Sequence, residues 1–228
     1  WRFRGAILGL MRLKRLSVHY LLRRQSTMYR KLALLTMAAL VSGCASVNTV
    51  VPTKADLARL QGQTLAVKTG EPTSFVLSTP ENNRSFMRAA TMTREGNELV
   101  ANNGVRDPAQ AIAIGVAQRL EKAYGSQTMV GSGPAKFALE VKTTNWGLFF
   151  TEGDKNKYGV VYSATFRLLD TQRGAVVASL YCVPRKVHAT IAERGSFVEQ
   201  SAGGLKNAMD QISEECVQSI ANQVLSMP

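Results

Sequence analysis

Tyr158-Gly-Val-Val-Tyr-Ser-Ala-Thr-Phe-Arg-Leu-Leu-Asp-Thr-Gln-Arg-Gly-Ala-Val-Val-Ala-Ser-Leu-Tyr-Cys182 is the stretch that decides the fold. In 158–169, Val160, Tyr162, Ala164, Phe166 and Leu168 alternate with Ser163, Thr165 and Arg167. In 175–183, Val176, Ala178, Leu180 and Cys182 alternate with Ser179 and Tyr181. A period of two puts each set on one face of a strand. Asp170 to Gly174 joins the two as a five-residue hairpin connection ending in glycine. Upstream, 136–144 repeats the pattern, with Phe137, Leu139 and Val141 against Glu140 and Lys142. Three such strands in series predict an antiparallel sheet with one wet face.

Helices supply the cover. In 107–124, Asp107 is an N-cap, Pro108 fits the first helical position and Gly125 follows the last turn. Ala109, Ile112, Ala113, Val116, Leu120 and Tyr124 make its apolar stripe. A last helix over 203–226 lines up Leu205, Met209, Ile212, Cys216, Ile220 and Val224. Before these, Thr64 to Lys68 reads as a strand and Ser74 to Ser78 as a second, short one. Residues 79–104 are the least periodic part, around a helix expected from Arg84 to Met92. The sum is an α+β fold, a two-layer sandwich with a mainly antiparallel sheet of 4–5 strands and two helices on one face. It occupies 63–228 as one domain, with 44–62 as a tether that includes a helical turn from Lys54 to Leu60.

Charge separates the front of the chain from this domain. The 228 residues hold 28 Lys and Arg against 16 Asp and Glu, a net of +12. Nine of the cations and none of the acids lie in 1–43, so 44–228 carries only +3. The basicity belongs to the leader and is no argument for nucleic-acid binding. Within it, Arg30 and Lys31 precede an apolar run from Leu32 to Leu40 that is too short to span a bilayer. Val41-Ser42-Gly43-Cys44 closes the run. Met28 is therefore read as the initiator, ahead of Met11, and 1–27 as a non-native upstream extension of a signal peptide at 28–43.

Val41 to Cys44 resembles the lipobox of bacterial lipoproteins. The resemblance implies cleavage before Cys44, a diacylglycerol on its sulfur and a fatty acid such as palmitate on its amine. Ala45 and Ser46 follow with no aspartate beside the cysteine, as in lipoproteins sorted to the outer membrane, facing the periplasm. The lipid is then the membrane attachment. Trp146, the strand from Tyr158 to Asp170, and late Cys182 and Cys216 resemble an uncharacterised proteobacterial periplasmic lipoprotein family. The topology resembles periplasmic lipoprotein domains that act as assembly factors or synthase activators.

Two cysteines remain, Cys182 and Cys216, in an oxidising compartment. Both fall on the apolar side of their elements, so strand and helix can meet with the sulfurs between them. A disulfide is expected, and two buried thiols acting as small hydrophobes are the alternative.

Catalytic constellations are scarce. His188 is the one histidine after the leader, and no Gly-x-Ser-x-Gly elbow accompanies it. Glu214 and Glu215 are consecutive on a helix and diverge. Gly131-Ser132-Gly133-Pro134 lacks the lysine of a phosphate loop. Glu152 and Asp154 flank Gly153 in an exposed loop. No catalytic residue, cofactor, metal or nucleic acid is expected. Trp146, Leu148, Phe149 and Phe150 stand out, in a run placed where one strand turns into the next. They are candidate contacts for an envelope protein, the alternative being that they close the end of the core. The expected function is a non-enzymatic accessory or assembly factor that binds a cell-envelope protein. The other reading is a binder of a small ligand or envelope polymer, such as peptidoglycan or lipid.

Overall fold

Fourteen-residue strands form where shorter ones were expected. A computed structural model describes residues 49–225 apart from Pro72, Ser85, Phe86 and Ser132. The expected leader, the lipobox-like run Val41–Cys44 and the expected lipidation site Cys44 lie outside these residues. In chain order the elements are α1 (Lys54–Ala58), β1 (Thr64–Thr69), β2 (Val76–Ser78), a 3-10 turn (Asn82–Arg84), α2 (Arg88–Asn103) and α3 (Ala109–Tyr124). Then come β3 (Gln127–Val130), β4 (Phe137–Phe150), β5 (Lys157–Asp170), β6 (Ala175–Cys182), α4 (Arg185–Ala189), β7 (Ile191–Glu193) and α5 (Arg194–Leu225).

The class is α+β, but the sheet is larger and more mixed than expected. Its seven strands run β3-β1-β4-β5-β6, with β2 also on β4 and β7 also on β5. β4 and β5 form a long antiparallel ribbon, Phe137 opposite Asp170 at one end and Phe150 opposite Tyr158 at the other. β1 and β2 lie along the free edge of β4, both parallel to it. β6 and β7 lie along the free edge of β5, both antiparallel. β3, unread in the sequence, adds a parallel edge to β1.

Two bulges explain where the alternation misleads. In β4 the register slips between Thr143 and Asn145, so the inward set changes from Leu139, Val141 and Thr143 to Trp146 and Leu148. One extra residue flips the parity beyond it. The run 146–150, expected as a turn, is therefore the second half of a strand. In β6 the pairs Leu168–Ala178 and Leu169–Val176 skip Val177. Val177 is buried and Val176 is exposed, which reverses the expected inward side chain.

The core lies between the sheet and α3 with α5. Ile112, Val116 and Leu120 of α3 are buried against Leu205, Ile212 and Ile220 of α5 and the inward strand residues. Asp107 accepts from the Ala109 amide through Oδ1 at 2.9 Å, and Pro108 already has helical torsions. Both match the expected cap. Cys182 and Cys216 are joined in a disulfide that ties β6 to α5. Helix α5 is broken at Glu199–Ala202, where Gln200, Ser201 and Ala202 all have positive φ. The expected start at 203 falls at the end of this break.

Helix α2 is longer than the expected 84–92 and carries few apolar residues. It docks through Gly96, where a Cβ would stand 2.2 Å from the Phe75 carbonyl oxygen. Asn97 beside it accepts from the Phe75 amide at 2.9 Å.

The expected tether is shorter than 44–62. Val50 exchanges two main-chain hydrogen bonds of 2.8 Å with Ser179 of β6. Leu57 and Leu60 are buried in the core. Arg59 pairs with Asp170, whose side chain is fully buried, and its guanidinium lies 5.7 Å from the Phe137 ring centre. The pair buries a charge because each partner has extra bonds: Asp170 Oδ1 also accepts from the amides of Gln172 and Arg173 at 3.1 Å. No helix of the described residues is long and apolar enough to cross a membrane.

Candidate functional site

Trp146 sits just past the β4 bulge, and that position makes it part of a wall. Its ring is buried, and Nε1 donates to the Thr73 carbonyl at 2.5 Å. Phe75 meets it edge to face, with centroids 4.9 Å apart and planes at 89°. Leu148 is buried in the core, while Phe149 and Phe150 are half-buried. Phe150 packs against the margin of the core. Phe149 leans over Gly147, where a Cβ would crowd it at 2.7 Å and the Val76 carbonyl oxygen at 2.4 Å. The four residues singled out in the sequence thus divide: Trp146 and Leu148 close the core, and the two phenylalanines keep partial exposure.

A cleft of about 530 Å³ opens beside Trp146. Gly70, Glu71, Thr73 and Ser74, with α2, the entry to α3 and the middle of β4, form its walls. Val100, Val105 and Val141 give it an apolar side, and Arg106, Lys142 and Glu71 line it with charge.

At its floor, Thr143 links Asp107 to Tyr162, which is buried beneath the cleft. Thr143 Oγ1 lies 2.6 Å from Asp107 Oδ1 and 3.1 Å from the Tyr162 hydroxyl. A carboxylate only accepts, so the one Thr143 proton goes to Asp107 and Tyr162 donates to Thr143. Thr73 donates its hydroxyl to the Thr143 carbonyl at 2.8 Å. Burial pushes the Tyr162 phenol far above its usual range, against a smaller lowering from the Thr143 bond. Tyr162 therefore stays protonated at neutral pH and serves as a donor.

Sequence reading named Asp107 only as a cap and missed Thr143, Tyr162 and Thr73 as a group. The signal was present in part. Thr143 continues the inward series Phe137, Leu139, Val141, and Tyr162 is an inward tyrosine whose hydroxyl needs a partner.

A second hollow, about 670 Å³, is lined by Glu81, Arg84, Lys155, Glu193 and Arg194 around Tyr158. It is the larger of the two, but it is a wide, charged surface with little apolar wall. The Trp146 cleft has the concave, mixed lining of a binding site and a bonded floor.

The remaining sequence candidates fall elsewhere. Asp154 caps the β4–β5 turn, accepting from the Asn156 amide and, through its carbonyl, from Thr151 Oγ1. Glu215, diverging from Glu214, accepts from the Arg185 amide at 2.6 Å and from the Lys186 amide, capping α4. His188 belongs to α4, and its side chain lies outside the described residues. Among the described residues no group of three or more His, Cys, Asp and Glu could hold a metal ion.

No family model matches the chain. None of the curated proteins matches it either. Several solved structures are similar at low identity. PelC from Paraburkholderia phytofirmans, solved as a dodecamer, is 18% identical over 74% of this chain and 93% of its own, with a TM-score of 0.33. A minor lipoprotein from Acinetobacter baumannii is 12% identical over 72% of this chain and 90% of its own, with a TM-score of 0.38. Lipoprotein GNA1162 from Neisseria meningitidis is 16% identical over 70% and 98%, with a TM-score of 0.25. Superpositions this loose carry no functional argument.

Proposed function

We propose that the protein is a lipid-anchored, non-enzymatic binding lipoprotein of the bacterial envelope, and that the cleft beside Trp146 is its recognition site. Cys44 carries the anchor, and the outer membrane is the expected location. The observation that carries the binding reading is the cleft itself, a concavity whose floor hydroxyls already hold one another in place. A preformed polar floor with an apolar side suits a small ligand or a short stretch of envelope polymer, such as a peptidoglycan fragment. The accessory-factor reading, motivated by the anchor, a compact domain and the lack of a catalytic constellation, would be favoured by exposed aromatics at 146–150. Burial of Trp146 and Leu148 removes most of that surface, so the ligand reading takes precedence.

Trp146 offers a direct test. The processed chain has this one tryptophan, so its emission reports on the cleft wall without labelling. Titration with muropeptides from digested peptidoglycan, and separately with short-chain phospholipid, is expected to give a saturable change for one class. Thr143→Val, which cuts the floor in two, is expected to weaken that binding about tenfold. Emission that stays unchanged with both classes would overturn the ligand reading.

A further inference from the structure

The tied point where the chain enters the domain limits which face can meet a membrane. Five residues separate Cys44 from Val50, so even fully extended they reach only about 20 Å. A domain of this length is roughly 40 Å across. An anchor at Cys44 therefore leaves the bilayer within reach of the surface around Val50 and Ser179, and out of reach of the far side.

That surface has an unusual composition. Tyr181, on the outward side of β6, and Val183, just past its end, are 40% and 43% exposed, and Val51 beside the tied point is 46% exposed. They are three of the few large apolar side chains left in water among the described residues. Arg167, opposite Ser179 on β5, and Arg185, beside Tyr181 and Val183, are exposed cations. The acid in the same hollow, Glu215, is held by the Arg185 and Lys186 amides. A tyrosine among valines, framed by arginines, is the composition of a lipid–water boundary. The ring sits among headgroups, the valines enter the acyl margin, and the guanidinium groups pair with phosphate.

We infer that the outer face of β6 around Tyr181 and Val183 rests on the headgroup layer of the membrane that holds Cys44. Arg167 and Arg185 engage anionic lipid there. The inference rests on the reading of Cys44 as the anchor. It adds a fixed orientation, since a lipid chain alone would let the domain tumble.

The test uses the full lipidated chain in vesicles of phosphatidylethanolamine and phosphatidylglycerol, with and without bromine on the acyl chains. Tyr181→Trp puts a second tryptophan on the proposed face, and Arg119→Trp puts one on the exposed side of α3. The parent, with Trp146 alone, supplies the baseline. Bromolipid is expected to quench the tryptophan added at 181 roughly twofold and to spare the one at 119. Equal quenching at the two positions, with the protein still floating with the vesicles, overturns the orientation and leaves the anchor standing. Failure to float overturns the anchor and the orientation with it. A tryptophan at 181 that is shielded in intact envelopes from both bromolipid and aqueous acrylamide means that a protein covers the face, which also overturns the inference.

Discussion

The β4–β5 ribbon is flanked by two unlike halves. On the β5 side, β6 follows through a four-residue turn, pairs antiparallel and is joined to α5 by a disulfide. On the β4 side, β1, β2 and β3 pair parallel and are joined through α2 and α3. The first half is held by local pairing and one covalent bond. The second half depends on close approach and on polar groups that must find partners far along the chain. Parallel edges need long crossovers, so their loop-closure cost is met only when the helices have docked. The candidate site lies in the half that is harder to assemble.

Removing the covalent bond is the most forceful way to break this contrast. The Cys182–Cys216 bridge spans 34 residues, and a loop of that length corresponds to about 3–4 kcal/mol in the chain-entropy model. Paired Cys182→Ala and Cys216→Ala changes are expected to lower stability by about that much in urea unfolding monitored by circular dichroism. If the β5 side stands on hairpin pairing alone, the loss will fall well below 1 kcal/mol.

Gly96→Ala attacks the other half. The added methyl has backbone in front of it, the Phe75 carbonyl at 2.2 Å and the Leu77 amide nitrogen at 2.9 Å, so helix or strand must shift. A cost of about 1–3 kcal/mol is expected. Hydrogen exchange should show the loss concentrated in β2 and α2, with β5 and β6 protected as before. Uniform loss across the sheet would mean that the two halves unfold as one unit and that the contrast is only topological.

Thr143→Val tests whether the cleft floor is structural as well as binding. It removes one hydrogen bond from the Asp107 carboxylate and one from the Tyr162 hydroxyl, worth about 1–2 kcal/mol together. Thr143→Ser keeps the hydroxyl and is expected to restore most of that stability, and thermal unfolding of the pair reads the difference. Equal stability of the valine and serine variants would show the floor bonds to be dispensable to the fold.

Legibility in the sequence follows the same divide. β5, β6, α3 and the pairing partner of Cys216 could be read because period, cap and turn signals all lie within a few residues of each other. β3 could not, because a four-residue parallel edge has no alternation long enough to count. Helix α2 was read too short, since its docking residue is a glycine and its face is largely polar. The end of β4 reads as a turn in the sequence because its bulge moves the inward set from odd to even positions. The cleft floor was illegible for a related reason. Asp107, Thr143 and Tyr162 lie 36 and 19 positions apart in the bonded pairs; the β4–β5 ribbon brings Thr143 to Tyr162, and Asp107 joins them only where α3 packs on β4.

The smallest expected effect concerns Asp170, which closes the ribbon where α1 crosses it. Burial by itself would raise its pKa, but the Arg173 amide, the Arg59 guanidinium and the Gln172 amide together hold it below the usual carboxylate value. A carboxyl whose folded pKa is depressed adds stability above its unfolded value, near 4, and loses it as pH falls through the folded value. The parent is therefore expected to lose stability on acidification below about pH 4 more steeply than Asp170→Asn. At neutral pH the asparagine variant should be the less stable of the two, because Arg59 then faces a neutral partner beside the Phe137 ring. The two stability curves should converge as pH drops. Curves that stay parallel from pH 7 to pH 3 would show that Asp170 titrates alike in folded and unfolded chains. The grip of the 50–60 segment on the sheet would then come from Leu57, Leu60 and the Val50–Ser179 main-chain bonds, with no contribution from the buried charge.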